Sequence, residues 1–430
     1  MEIKKINYSK VNEELYIYEH ESGLKAFVIP KKGYSKKHAS FATYYGSINN
    51  RFIAPYEDYE TSVPDGIAHF LEHKLFEQKD GSVMDKYSMT GASPNAYTSF
   101  THTVYLFSCT DKFDENFDML LDYVQNPYIT EESVEKEKGI IAQEIRMYDD
   151  DPNWRAFFNL LGAFYKEHPV RIDIAGTVES ISKINKSNLM KCYDTFYHPS
   201  NMVILVVGDV DPEKTLKKVA EGIKTTEHKP EIKRIFPKSH KGINKNYVEQ
   251  NLSVSIPIFQ MGFKDELNGE KGFDSLKREI VVKLLLEMIV GRSSSLYNEL
   301  YEEGLINSSF DSDYTIEEDY AFSMFGGESI DPLKVKSKIL NEIKSIKEKG
   351  LDKKSFDRIK NSMKGRFIKQ LNSVEKISHL FIPAYFKGAT MFDYFDVYDK
   401  ITFEYASEVF LKHFDEENFA LSVIKPIKGD

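Results

Sequence analysis

The order of apolar and polar residues predicts strands and helices mixed throughout the chain. Apolar or alternating runs of strand length occur at residues 25–30, 40–45, 97–109, 202–207, 252–263, 319–325 and 419–424. Between these runs, apolar residues recur at three- and four-residue steps, which is typical of amphipathic helices. Strands and long helices mixed in this way predict an α+β fold, with mainly antiparallel sheets flanked by helices.

One helical pattern recurs about half a chain later. Residues 129–147 read ITEESVEKEKGIIAQEIRM, and a shift of 222 residues brings 351–369, LDKKSFDRIKNSMKGRFIK, into register. Ser133 then matches Ser355, and each of the two helices follows another amphipathic run. A repeat of this length predicts two homologous modules within the chain.

The segment between the two repeats sets the expected domain boundaries. Residues 224–245 are polar and basic and contain two prolines, as in an exposed linker. We therefore predict an N-terminal module at residues 1–223 and a C-terminal module at residues 246–430. A nucleic-acid role for the basic linker has no further support in the sequence.

Composition and charge exclude several classes of protein. The 430 residues include 57 basic and 67 acidic side chains, a net charge of −10, whereas a general nucleic-acid binder needs a clustered basic surface. Only Cys109 and Cys192 are present, so free thiols in a reducing compartment are expected. Lys283 and Glu287 interrupt the apolar run at 281–290, and residues 1–10 lack the apolar core of a secretory signal. These features predict a cytoplasmic protein with neither a membrane nor a nucleic-acid partner.

The clearest chemical motif is H-x-x-E-H within GIAHFLEHKLF, residues 66–76. On a helix, His69 and His73 are four residues apart and share a face, so their imidazoles can converge on one metal ion. Glu72 lies three residues after His69, near enough to reach a water bound to that metal. Neutral histidines suit Zn²⁺, and this order of residues is the inverzincin signature.

A catalytic zinc site needs a third protein ligand, and an acidic residue on another helix is the natural source. Glu144 lies in EKEKGIIAQEIRM, and Glu137 precedes it by seven residues, two helical turns, on the same face. One of these carboxylates can bind the metal while the other orients a histidine through a hydrogen bond. A solvated helix charge is the alternative for Glu137.

These motifs together resemble the pitrilysin/insulinase family of inverted-zincin peptidases. The similarity is greatest to half-length members like the mitochondrial processing peptidase subunits, and among those to a bacterial YmfH-like subgroup. It covers nearly the whole chain and includes SPNAYTSFTHTVY at 93–105, HPVRIDIAGT at 168–177 and FYHPSNMVILVVGDVD at 196–211. The resemblance implies that His69, His73 and Glu144 bind Zn²⁺ and that Glu72 is the general base.

The resemblance also implies where a peptide substrate binds. Asn95, Ala96 and Tyr97 match the family's edge strand beside the metal, where a peptide adds as a further β-strand. Ordinary strand packing is the alternative role for Tyr97. His102 and His168 are interpreted as structural or surface histidines rather than metal ligands. The function expected is zinc-dependent endopeptidase activity on peptides or unfolded segments, enclosed in a dimeric chamber.

The second module departs from the family pattern. Ile359 and Arg366 stand where the shift places Glu137 and Glu144, so this module cannot repeat the metal site. Related C-terminal modules carry an Arg and a Tyr that reach the substrate carbonyl, but Tyr301 and Asn307 occupy or lie near those positions here. A second, related chain is expected to supply the pair in a heterodimer, with a homodimer as the alternative. The other functional class considered is an inactive scaffold or chaperone-like subunit.

Overall fold

The computed structural model describes residues 1–237, 240–267 and 269–427. The strands within these ranges, in chain order, are β1 Ile3–Tyr8, β2 Glu13–Glu19, β3 Lys25–Pro30, β4 Lys37–Thr43, β5 Arg51–Ile53, β6 Thr61–Ser62, β7 Glu77–Gln78, β8 Gly81–Ser82, β9 Ser93–Thr98, β10 Thr103–Cys109, β11 Met202–Gly208, β12 Lys233–Arg234, β13 Tyr247–Leu252, β14 Ile258–Lys264, β15 Asp311–Ile316, β16 Ala321–Glu328 and β17 Phe419–Pro426.

The α-helices are interspersed with these strands in both halves. In chain order they are α1 Ile67–Leu75, α2 Val83–Thr90, α3 Phe113–Gln125, α4 Glu131–Asp149, α5 Pro152–Phe164, α6 Val178–Ile181, α7 Lys186–Phe196, α8 Pro212–Gly222, α9 Gly272–Ile289, α10 Ser295–Glu302, α11 Pro332–Lys349, α12 Lys353–Gln370, α13 Val374–Phe386, α14 Asp393–Lys400 and α15 Phe403–His413. The α+β prediction is therefore confirmed.

The two large sheets repeat one topology. The first has the order β1-β2-β3-β11-β4-β10-β9, and the second has β13-β17-β14-β16-β15. Strand β11 is parallel to β3 and antiparallel to β4, just as β17 is parallel to β13 and antiparallel to β14. Hairpins β9–β10 and β15–β16 complete the match. This shared five-strand pattern confirms the duplication that the helical repeat predicted.

The chain forms two compact units, and each is built from three segments. Unit 1 contains Met1–Ile145, Asp173–Phe236 and Gln370–Phe386, whereas unit 2 contains Arg146–Ile172, Pro237–Lys369 and Lys387–Asp430. Helix α13 packs on β4 and β11 in unit 1, and α5 packs on β13, β14 and β17 in unit 2. Each repeat thus contributes one helix to the sheet of the other repeat. Modules that are continuous in sequence, such as 1–223 and 246–430, do not include this exchange of helices.

Other differences from the predicted elements have local causes. The apolar run at 97–109 forms two strands, because the chain turns at 99–102 between β9 and β10. The run at 252–263 is likewise divided between β13 and β14. Within the predicted linker at 224–245, β12 pairs with β5 and Ile232 is buried, so this part is packed rather than wholly exposed. Residues 238 and 239 of that segment lie outside the described residues, as do 268 and 428–430 of the predicted second module.

Candidate metal centre

The H-x-x-E-H motif lies on helix α1, whose first turn is fixed by close backbone packing. Gly66 precedes the helix with φ +88°, a left-handed conformation that favours glycine. A Cβ atom at Gly66 would lie 2.3 Å from the Ala175 carbonyl oxygen, and one at Gly176 would lie 2.5 Å from the Asp65 carbonyl oxygen. The two glycines therefore let residues 175 and 176 approach the start of α1, which fixes its position.

The remaining faces of α1 are anchored by apolar and charged contacts. Phe70, Leu71 and Leu75 are fully buried in the core of unit 1. Lys74 is also fully buried; its ammonium pairs with Glu77 and donates to the Ser133 carbonyl oxygen at 3.4 Å. Because Ser133 lies in the first turn of α4, Lys74 ties the motif helix to the helix that carries the acidic residues.

Helix α4 presents the two predicted carboxylates on the face that turns toward α1. Its apolar positions Val134, Ile141 and Ile145 are buried in the core, and Glu137 and Glu144 follow the same three- and four-residue spacing. Both carboxylates are only partly exposed, at 13% for Glu137 and 22% for Glu144. Both carboxylates therefore lie on one face of α4, as their seven-residue spacing predicts, and this face lies beside the motif.

His69, His73 and Glu144 form a cluster suited to a metal ion. One ligand atom from each lies within 4.8 Å of the others. The Nε2 atoms of His69 and His73 lie 3.7 and 3.6 Å from the carboxylate oxygens of Glu144, too far for hydrogen bonds. Ligand atoms about 2.0–2.1 Å from a tetrahedral Zn²⁺ are separated by about 3.4 Å, so the three residues fit this ion.

Hydrogen bonding and burial act differently on the two imidazoles. His73 Nδ1 lies 3.1 Å from Glu137 Oε1, which holds the ring and leaves Nε2 toward Glu144. Burial, with a contribution from the neighbouring His73, lowers the pKa of His69 to about 3, so this imidazole is neutral. Burial also lowers the pKa of His73, but the bond to Glu137 and the charges of Glu72 and Glu144 outweigh it, and the net shift is upward. Bound Zn²⁺ would oppose protonation of His73.

Glu72 is buried beside this cluster and is held by one hydroxyl group. Only 7% of the residue is exposed, and burial raises the pKa of its carboxyl group to about 7. Thr98 donates a hydrogen bond from Oγ1 to Glu72 Oε2 at 2.5 Å, which partly opposes the rise. A carboxylate with a pKa near neutrality can both accept and return a proton.

The predicted substrate residues lie on β9, an edge strand of the first sheet. Asn95 is exposed, and its Oδ1 accepts a hydrogen bond from the Ala96 backbone N–H at 2.9 Å. Ala96 packs against the core of unit 1, while the Tyr97 ring lies 5.7 Å from that of His379 on α13. Successive side chains alternate between the faces of a strand, so Tyr97 points away from the face shared by Ala96 and Thr98.

The other histidines and aromatic residues of interest lie outside the metal cluster. The rings of His102 and His168 are hydrogen-bonded, His102 to Ser99 and His168 to Asp319. In unit 2, Tyr301 is 54% exposed on α10, and the Asn307 amide donates to Glu328 at 2.6 Å.

Thr98 and Lys74 were missed by sequence reasoning. Alternation along the NAYT strand would have placed Thr98 on the face of Ala96, but its partner was not predictable.

Two family models match the chain. The model described as insulinase, peptidase family M16, matches residues 58–178, and that described as the peptidase M16 inactive domain matches residues 183–363. A Bacillus subtilis protein named an uncharacterized zinc protease, YmfH, is 43% identical over 99% of both chains. The chain therefore belongs to the M16 peptidase family.

Other relatives agree with this assignment. The beta subunit of the mitochondrial-processing peptidase of Caenorhabditis elegans is 31% identical over 39% of this chain and 37% of its own. The crystal structure of a putative M16-like peptidase from Alicyclobacillus acidocaldarius is 34% identical, with a TM-score of 0.93 over 96% of this chain and 99% of the other. A Helicobacter pylori protease shares the fold, with a TM-score of 0.81 at 20% identity over 96% and 100% of the two chains.

The family supports a peptidase-type function, and several relatives are named zinc proteases. Within the described residues, no helix is long and apolar enough to cross a membrane.

Proposed function

We propose that this protein is a zinc-dependent endopeptidase that hydrolyses peptides or unfolded segments. His69, His73 and Glu144 would hold the zinc, Glu137 would orient His73, and Glu72 would be the general base. The observation that carries this proposal is the convergence of three ligand-type side chains, without hydrogen bonds among themselves, beside a buried carboxylate.

The residues of this chain would handle the proton transfers of peptide hydrolysis. Zinc, when bound, supplies a Lewis acid that polarises the scissile carbonyl group and acidifies water. Glu72 accepts a proton from the attacking water as the new carbon–oxygen bond forms. As the carbon–nitrogen bond breaks, Glu72 returns a proton to the leaving amine. The enclosed position of Glu72 excludes bulk water from this exchange.

The edge of β9 would bind the peptide as an additional strand. Main-chain hydrogen bonds to such an edge depend little on peptide sequence, which suits a broad substrate range. The Ala96 N–H is bonded to the side chain of Asn95 rather than to a neighbouring strand. A peptide carbonyl can replace Asn95 Oδ1 at this N–H, and the released amide can then bind the peptide. Tyr97 would contribute through its side chain, because its backbone groups, unlike those of Ala96, face the paired strand β10.

A related subunit is part of the proposal. The expected Arg and Tyr pair is replaced by Tyr301 and Asn307, and the Asn307 amide is already bonded to Glu328. Stabilisation of the developing oxyanion therefore requires donors from elsewhere. We assign them to a second, related chain that completes a dimeric chamber, with a homodimer as the alternative.

Cytoplasmic location is proposed because Cys109 and Cys192 are free and buried.

An inactive scaffold or chaperone-like subunit is the second candidate. The match of residues 183–363 to an inactive-domain model favours it for the second half of the chain. The first half, however, keeps His69, Glu72, His73 and Glu144. Zinc content together with peptide cleavage separates the two functions.

The test compares the zinc-loaded wild-type protein with the Glu72→Gln variant on a quenched, unstructured peptide. Loss of a general base lowers kcat by about 10²–10⁴-fold, whereas the zinc content should stay unchanged because the three ligands remain. Full activity of the variant would disprove the mechanism.

The same assay is run on the chain alone and on the complex isolated from its source cells. Activity that requires the complex supports a second subunit. Equal activity of the chain alone contradicts it.

A further inference from the structure

The hydrogen bond between Thr98 and Glu72 links the edge strand to the buried carboxylate. Thr98 is the last residue of β9, and its Oγ1 lies 2.5 Å from Glu72 Oε2. Among the described residues, Glu72 has no other side-chain hydrogen-bond partner. Its second oxygen, Oε1, is therefore left free to receive a proton.

The Thr98 hydroxyl is itself fixed by its surroundings. Thr103 pairs with Thr98 across the β9–β10 hairpin, and its Oγ1 lies 3.2 Å from Thr98 Oγ1. Thr103 Oγ1 is the donor toward Thr98 Oγ1 and also toward the Tyr45 carbonyl oxygen, which lies 2.9 Å away. Because Thr98 Oγ1 accepts from Thr103, its own proton is directed to Glu72.

We infer that Thr98 is a positioning residue for Glu72 and that it couples the substrate strand to the general base. The inference rests on the proposed function. A carboxylate held by one oxygen presents the other in a fixed direction, and such orientation contributes to catalysis. Because Thr98 belongs to β9, any ordering of that strand by a paired peptide also orders the donor of Glu72.

The test uses Thr98→Val, which removes the hydroxyl but keeps the branched shape, and Thr98→Ser, which keeps the hydroxyl. Thr98→Val should lower kcat by about 10- to 100-fold, the effect of losing one hydrogen bond to a charged group. KM, zinc content and Tm should stay close to wild type, and Thr98→Ser should stay within about threefold. Thr315→Val on β15 makes the same change in the edge strand of unit 2 and is the matched control.

Affinity of the zinc-loaded protein for acetyl-leucine hydroxamate gives a second measurement that needs no turnover. Its hydroxyl proton is accepted by the general base, so Thr98→Val should weaken binding by about 10-fold or more. In a Glu72→Ala background the same substitution should have no further effect, because no carboxylate remains to be oriented.

Unchanged kcat and hydroxamate affinity in Thr98→Val would overturn the inference. It would also be overturned if Thr98→Val weakened hydroxamate binding as much in the Glu72→Ala background as in the wild-type protein. If the complex isolated from its source cells binds zinc and the hydroxamate but cleaves no peptide, the proposed function is refuted instead. The double-mutant cycle still decides the role of Thr98 in that case.

Discussion

The two units have the same five-strand pattern but place different chemistry on equivalent helices. In unit 1, α1 precedes the β9–β10 hairpin and carries His69 and His73 four residues apart. In unit 2, α9 occupies the same place before the β15–β16 hairpin, and it carries Glu279 and Lys283 four residues apart. Three ligand-type groups converge in unit 1, whereas paired charges meet in unit 2.

The charged side chains around α9 in unit 2 form ion pairs with one another. Lys283 lies 3.2 Å from Glu279 and 3.1 Å from Asp313, and Lys387 lies 3.5 Å from Glu279 and 3.4 Å from Glu317. A buried charge is costly unless it is paired, so this network satisfies its members without a ligand. The cluster of unit 1 has no such internal pairing. The same scaffold therefore supports either a cluster suited to a cation or a charge network that needs none.

The largest difference between the units should appear when one metal ligand is removed. Loss of a group that only orients a ligand lowers metal affinity by roughly 10- to 100-fold. Glu144→Gln removes a ligand itself and should therefore lower zinc affinity by more than this. Arg366→Gln, the equivalent position in the repeat, should leave zinc binding unchanged because no such cluster lies among the described residues of unit 2. Zinc titration against a chelator measures both, and an equal effect of the two variants would break the comparison.

A smaller effect is expected from breaking the charge network of unit 2. Lys283→Met leaves Glu279 and Asp313 with one partner fewer and, because Lys283 is partly exposed, should lower the free energy of unfolding by about 1–2 kcal/mol. The exposed pair of Lys217 and Glu221 is the control, because Lys217→Met should cost less than about 0.5 kcal/mol. Urea denaturation compares these stabilities. A Lys283→Met variant as stable as wild type would show that the network contributes only specificity.

The last effect concerns acid stability. Burial alone would raise the pKa of Glu279, but Lys387 and Lys283 outweigh it and lower that pKa to about 2, below the ordinary 4.5. A lowered carboxyl pKa stabilises the fold above pH 4.5, and this contribution is lost as the pH falls from 4.5 to 2. Glu279→Gln should therefore flatten the decline of Tm across this window, by an amount equivalent to about 1–3 kcal/mol. A decline as steep as in wild type would assign the acid sensitivity to other groups.

The sequence alone determined the repeat, the α+β class and the candidate metal residues. Helical spacing fixed the pairing of His69 with His73 and of Glu137 with Glu144, because residues three, four and seven apart share a helix face whatever the tertiary context. The resemblance to the M16 family joined these pairs into one site.

The tertiary structure alone decided which segments pack together and which partners buried groups find. Residues 370–386 belong to unit 1 although they follow the second repeat, and Thr98 rather than another group bonds to Glu72. Tyr97 turns toward His379, a contact between residues 282 positions apart. Local periodicity carries no information about such long-range contacts, because they depend on how separate elements fill a common core.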